Sequence, residues 1–194
     1  MTLVLLDTNA YLRLAKRVKP MLGVGFGQKH YVVTILQDVE DEVHRNPNLQ
    51  FKFPWFDDQV IAGERLATRL RLSVAERKSL EVARSVLRGY VLSNSGNYKT
   101  PPSNTDCRVL ALGQIRTAIV VTDDLSMHQL ASEFSIPVWH GHDLLRRMLT
   151  AKMITNEQVR EIFEALEVNG DLTETWKKAK HTEFVKVFGR PPYS

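Results

Sequence analysis

The stretch "LVLLDTNAYL", residues 3–12, decides how this chain is read. Four apolar residues run into an aspartate, a threonine and an asparagine, and apolar positions then recur at helical spacing. A carboxylate at that junction has two physical explanations. Asp, Thr or Asn there caps the first turn of a helix by accepting its free N–H groups. A carboxylate at the carboxyl end of a buried parallel strand also stands where open α/β sheets bind their ligands.

Working outward, residues 3–6 form a continuous apolar run, and three others follow: "YVVTIL" (31–36), "AIVVT" (118–122) and "IPVW" (136–139). Runs of this kind suit parallel strands covered on both faces. Helical patterns lie between them at 9–18, 38–45, 58–71, 74–92, 106–116, 126–134 and 143–150, with Ser73 and Glu76 spaced as a capping box. The segments 46–58 and 93–106 are rich in Pro, Gly, Asn and Ser and read as loops. Beyond residue 150 the pattern is helical, with Thr155/Gln158 and Asp171/Glu174 spaced as capping boxes, and "GRPPYS" reads as a loose tail. Strands alternating with helices predict an α/β fold with a mainly parallel central sheet over 1–150. A helical C-terminal extension, 151–194, is expected to pack on it.

The composition narrows the class. At 194 residues, 43% hydrophobic and 25% charged, the chain has the make-up of an ordinary globular protein. Its apolar runs are too short to span a membrane, and no basic region leads into a hydrophobic stretch at the N-terminus. One cysteine, Cys107, excludes an internal disulfide framework and reads as a small buried hydrophobe. A cytoplasmic location is expected. The net charge of +4 permits a polyanionic partner. Arg13, Lys16 and Arg17, and the i, i+4 pairs Arg65/Arg69 and Arg84/Arg88, read as solvated helix faces.

The acids that follow strands carry the chemistry. Asp7 ends the first strand and Asp123–Asp124 the third, while Asp106 opens the helix leading to it, eighteen residues before Asp124. The acidic run "QDVEDEV" (37–43) follows the second strand. In a parallel sheet all the carboxyl ends share one edge, so these groups are candidates for one cluster. Carboxylates crowded together repel and take up protons unless a cation joins them. Mg²⁺ and Mn²⁺ prefer oxygen ligands and keep waters, which suits phosphate chemistry. Each of Asp7, Asp106 and Asp124 also has a reading as a cap or turn residue, but three together on one edge favour a site.

Two stretches, "LLDTNAYL" and "DCRVLALGQIRTAIVVTDDLSM", resemble the first and the third and fourth motifs of PIN domains, including the eighteen-residue gap between the acids. The resemblance spans about residues 1–150 and implies a three-layer PIN-like fold acting as a metal-dependent endoribonuclease. It carries Asp7, Asp106 and Asp124 over as metal ligands, Thr122 as the threonine of a Thr-x-Asp motif, and Asp123 as an additional metal ligand. The family's second acid, a glutamate, matches Glu42, with Glu40 and Asp38 as the other choices. Mg²⁺ or Mn²⁺ is the implied cofactor and RNA the implied substrate. Many relatives are toxins paired with an antitoxin protein, and many form homodimers. This chain is longer than the compact toxins, chiefly through 46–105 and the tail.

"HGH" (140–142) invites a metal reading, but the oxygen character of the acidic cluster and the lack of nearby cysteine argue against it, and Asp143 reads as a helix cap. Phe51, Phe53, Trp55 and Phe56 read as a flap over the core or a partner-binding groove. Two rival functions stay open: a PIN-like RNA-binding or scaffold module with an incomplete site, and a structure-specific DNA nuclease.

Overall fold

The computed structural model describes residues 1–190. Its centre is a five-stranded sheet in the order β2-β3-β1-β4-β5. Strand β1 (Thr2–Leu6) pairs in parallel with β3 (Tyr31–Thr34) on one side and β4 (Ile119–Val121) on the other, and β5 (Val138–Trp139) extends β4 in parallel. Val4, Leu5 and Leu6 are all buried although successive side chains point to opposite faces, so helices cover the sheet on both sides in three layers. One strand was not foreseen. Gly25–Phe26 (β2) adds antiparallel to β3, with Phe26 against Tyr31; two residues are too few for a period-two pattern to register.

Local chemistry explains where the helices begin. In α1 (Thr8–Leu14), the Asp7 side chain accepts from the Ala10 N–H at 2.6 Å. After β3 comes α2 (Gln37–Arg45), and the acidic run 37–43 lies within it. The expected loop 46–58 contains a short helix, α3 (Pro47–Lys52), because Asn46 caps it and proline is pre-set for the first helical position. Helix α4 (Gln59–Ala67) is followed by α5 (Val74–Ser93), which opens with the expected Ser73–Glu76 capping box. Helix α6 (Asn104–Ile115) starts two residues before Asp106. Its cap is Ser103, and Asp106 is the third helical residue, reaching back to the Ser103 N–H at 2.7 Å.

Helices α7 (Leu125–Glu133) and α8 (Gly141–Thr150) follow β4 and β5. Gly113 on α6 stands where a Cβ would come within 2.6 Å of the Val120 methyl, so glycine lets α6 lie close on β4. The C-terminal segment is α9 (Asn156–Val168), α10 (Glu174–Thr182) and α11 (Val185–Phe188). Contacts join α9 to α1 and α8. The Thr155–Gln158 capping box forms. The Asp171–Glu174 box does not: Thr173 precedes α10, and Asp171 pairs with Lys52 at 2.9 Å, an opposite charge brought near only by folding. The expected loose tail falls partly on residues 191–194, outside the described residues. No helix among the described residues is long and apolar enough to cross a membrane.

Candidate functional site

The chain leaves β1 toward β3 on one side and later returns to β4 on the other, so the order of the sheet reverses at β1. Ligands of open α/β sheets bind outside the carboxyl ends of the strands at such a switch point. Asp7 stands there. Its N–H donates to the Val121 carbonyl at 3.1 Å, tying the end of β1 to β4, and the residue is 3% exposed. Burial pushes the Asp7 carboxyl up to about 7, partly offset by the Thr122 hydroxyl and the Ala10 N–H, while the charges of Asp106 and Asp123 push it further up. Asp7 is therefore the cap of α1 and at the same time a buried acid at the carboxyl end of a parallel strand, with no basic side chain paired to it among the described residues.

The structure separates the three choices for the second acid. Glu42 accepts a hydrogen bond from the hydroxyl of Thr8, the residue that follows Asp7. Glu40 instead pairs with Arg65 and Arg69, and Asp38 pairs with Arg108 at 2.9 Å. Helical geometry sets Glu40 apart, two residues from each of the others, whereas Asp38 and Glu42 are four apart and share a face; what divides that pair is the partner, Arg108 for Asp38 and Thr8 for Glu42.

Asp124 caps α7 through one oxygen, Oδ1, which accepts from Ser126 N–H at 2.7 Å and Met127 N–H at 3.4 Å. The Thr122 hydroxyl accepts from the Asp124 N–H at 3.1 Å and braces the turn. Oδ2 of Asp124 accepts nothing from the described side chains or amides and is free for a ligand.

Asp123, expected as an additional ligand, is committed elsewhere. Its Oδ2 accepts from Arg13 at 2.6 Å and from the Trp176 indole N–H at 2.8 Å, and its Oδ1 from the Gly141 N–H at 3.0 Å, with His140 Nδ1 at 3.5 Å. Burial alone would raise its pKa, but the nearby His140 ring, the Arg13 charge, Trp176 and Gly141 outweigh it and hold the carboxyl down at about 2. A Cβ on Gly141 would meet Trp176 at 2.8 Å and Asp123 at 2.9 Å, so only glycine admits this arrangement. Asp123 binds the helical extension to the sheet edge. Neither Arg13, whose helix face was read as solvated, nor Trp176, 53 residues beyond Asp123, carried a sequence signal for this. Arg65 departs from the solvated reading too: it is 3% exposed, stacks 3.8 Å over Phe56 and donates to the Phe56 carbonyl. Phe53 and Phe56 are buried as a flap would be, whereas Phe51 is exposed.

Asp7, Glu42, Asp106 and Asp124 thus come from four segments, but no three of them bring oxygens within 4.8 Å of one another. Among the described residues the group that does so is His142, Asp143 and Glu183, which could hold a metal ion. That group runs against the reading of "HGH". Asp143 does serve α8, accepting from the His140 N–H at 3.1 Å as the third helical residue. Glu183 lies forty residues away in sequence, so no spacing rule could have joined it to them.

Beside the acidic edge runs a groove of about 590 Å³ lined by Gln37, Asp38 and Asp41 of α2 and by Arg69, Arg71, Arg77 and Arg108. No protein-family model matches the chain, and no curated protein matches it. Among solved structures, the crystal structure of FitAcB from Neisseria gonorrhoeae aligns with a TM-score of 0.45 at 14% identity, covering 71% of this chain and 97% of that chain.

Proposed function

We propose that this chain is a PIN-like, metal-dependent endoribonuclease whose site is formed by Asp7, Glu42, Asp106 and Asp124. The observation that carries the reading is Asp7: a carboxylate buried at the switch point of a parallel sheet, with the charge of Asp106 acting on it and Glu42 bonded to the next residue, Thr8. A buried acid without a cationic partner fits a bound cation, and a donor set made only of carboxylate oxygens fits Mg²⁺ or Mn²⁺. When bound, such an ion polarises a phosphodiester and lowers the pKa of a water it holds.

The chain's own residues supply the rest. Asp7, Asp106 and Asp124, whose Oδ2 is uncommitted, would supply the oxygens that hold such an ion, and capping bonds at Ala10, Ser103 and Ser126 orient the three carboxylates. Glu42, steadied by the Thr8 hydroxyl, would accept a proton from the attacking water. The arginine groove carries the phosphates of the strand being cut, and Asp38, by engaging Arg108, keeps that guanidinium at the mouth of the site. The preference for RNA, and a role as a toxin held by an antitoxin protein, follow from the family resemblance.

The test is cleavage of labelled RNA and DNA pools with Mg²⁺ or Mn²⁺, with and without EDTA, by the wild type and Asp7→Asn. Metal-dependent cutting of RNA that vanishes in the variant is expected. The second reading, an RNA-binding module without activity, is favoured by the wide spacing of the acids. RNA binding without cutting by folded wild-type protein would select it.

A further inference from the structure

The described part of the molecule offers a second cluster of ligand-bearing side chains, on residues separate from the acidic edge. We propose that His142, Asp143 and Glu183 form a zinc-class metal site that clasps the C-terminal helices onto α8. His142 lies in the first turn of α8, with its side chain 9% exposed. Its ring stacks on His140 at 5.2 Å and meets the edge of Trp176 at 5.8 Å. The Nδ1 atom is fully buried and has no hydrogen-bond partner among the described residues. Buried polar atoms left unpaired are rare in folded proteins, and an unmodified ring nitrogen facing two carboxylates calls for a partner.

The carboxylates are arranged to provide one. Asp143 spends Oδ2 on the His140 N–H, and its Oδ1 lies 4.0 Å from Arg146. Glu183 turns Oε2 to Arg146 Nε at 3.0 Å and Oε1 to His142 Nδ1 at 3.4 Å. The 3.4 Å separation does not make a hydrogen bond, but it is the spacing of two ligands on one tetrahedral ion. Metal–ligand bonds of 2.0–2.2 Å put neighbouring ligand atoms about 3.4 Å apart. Ligand atoms of all three residues lie within 4.8 Å of one another. One imidazole nitrogen with two carboxylate oxygens selects a borderline divalent ion such as Zn²⁺ over Mg²⁺, so this site and the acidic edge differ in their metal.

The position gives the role. His142 and Asp143 belong to the helix that follows β5, and Glu183 caps the end of α10. Trp176 of α10 already reaches Asp123 next to Asp124. A metal here joins the same two parts at a second point, so its effect is on how firmly the extension is held.

The experiment is calorimetric titration of Zn²⁺ into metal-stripped full-length Asp7→Asn protein, in which the acidic edge is disabled, and into the same protein carrying His142→Gln or Glu183→Gln. One Zn²⁺ per chain is expected, with affinity reduced about 10- to 100-fold by either added substitution. Substituting Co²⁺ and reading its visible absorption reports a tetrahedral nitrogen–oxygen environment that is lost in both variants. Glu183 is partly exposed, so Glu183→Gln is expected to fold, which circular dichroism checks. Zn²⁺ binding unchanged by both substitutions overturns the proposal. So does the absence of Zn²⁺ binding by the folded protein, which makes the trio an ion pair only.

Discussion

Replacing Asp7 by asparagine should stabilise the metal-free protein while abolishing the proposed nuclease activity. The carboxyl is 3% exposed, and burial moves its pKa from 3.8 to about 7. At about 1.4 kcal/mol per tenfold change in proton affinity, the folded state loses about 4 kcal/mol on ionising this group fully, relative to an unfolded chain in which it titrates normally. The sign follows from proton counts. Below pH 3.8 both states hold the proton and there is no penalty. Between 3.8 and 7 the folded state binds more protons than the unfolded one, so stability falls as pH rises. Above 7 the whole penalty is present. Asparagine is neutral at every pH, matches the shape and caps a helix as well as aspartate, so the bond from Ala10 survives. In EDTA, Asp7→Asn should exceed the wild type by about 4 kcal/mol at pH 8 and by about 1 kcal/mol at pH 4.5. Urea unfolding at both pH values measures this; with a slope of about 2–3 kcal/mol per molar, the pH 8 midpoint moves up by about 1.3–2 M. Adding Mg²⁺ or Mn²⁺ at about 100 times its dissociation constant should then restore about 2.7 kcal/mol to the wild type and nothing to the variant. A variant no more stable than the wild type at pH 8, or a gap that does not change with pH, refutes the reasoning.

Asp123 should behave in the opposite sense. Its pKa, held at about 2, lies below the ordinary value, so its contribution of about 2 kcal/mol is present above pH 4 and disappears as pH falls toward 2; Asp123→Asn should lose that amount at pH 7, read from the same unfolding curves. Removing Arg71 and Arg77 together should weaken RNA binding at low salt and flatten the salt dependence by up to about two phosphate contacts, while leaving the melting temperature almost unchanged because both side chains are exposed. Filter binding across a salt series checks it, and an unaltered slope removes the groove from the nucleic-acid path.

The legible parts were those governed by local rules. Apolar runs of the right length showed β1, β3, β4 and β5, and capping chemistry placed the starts of α5 and α9, because both depend on neighbours within a few residues. Asp7 and Asp124 could be placed at one edge from sequence, since neighbouring parallel strands deliver their carboxyl ends to the same side. Local rules could not choose among Asp38, Glu40 and Glu42, because that choice depends on which side of α2 meets β1 and on the hydroxyl of Thr8. They missed the diversion of Asp123 to Arg13 and Trp176, and the meeting of His142 with Glu183, for the same reason. Hydrogen bonds and ion pairs act over about 3 Å, and only the folded chain sets such distances between residues tens of positions apart.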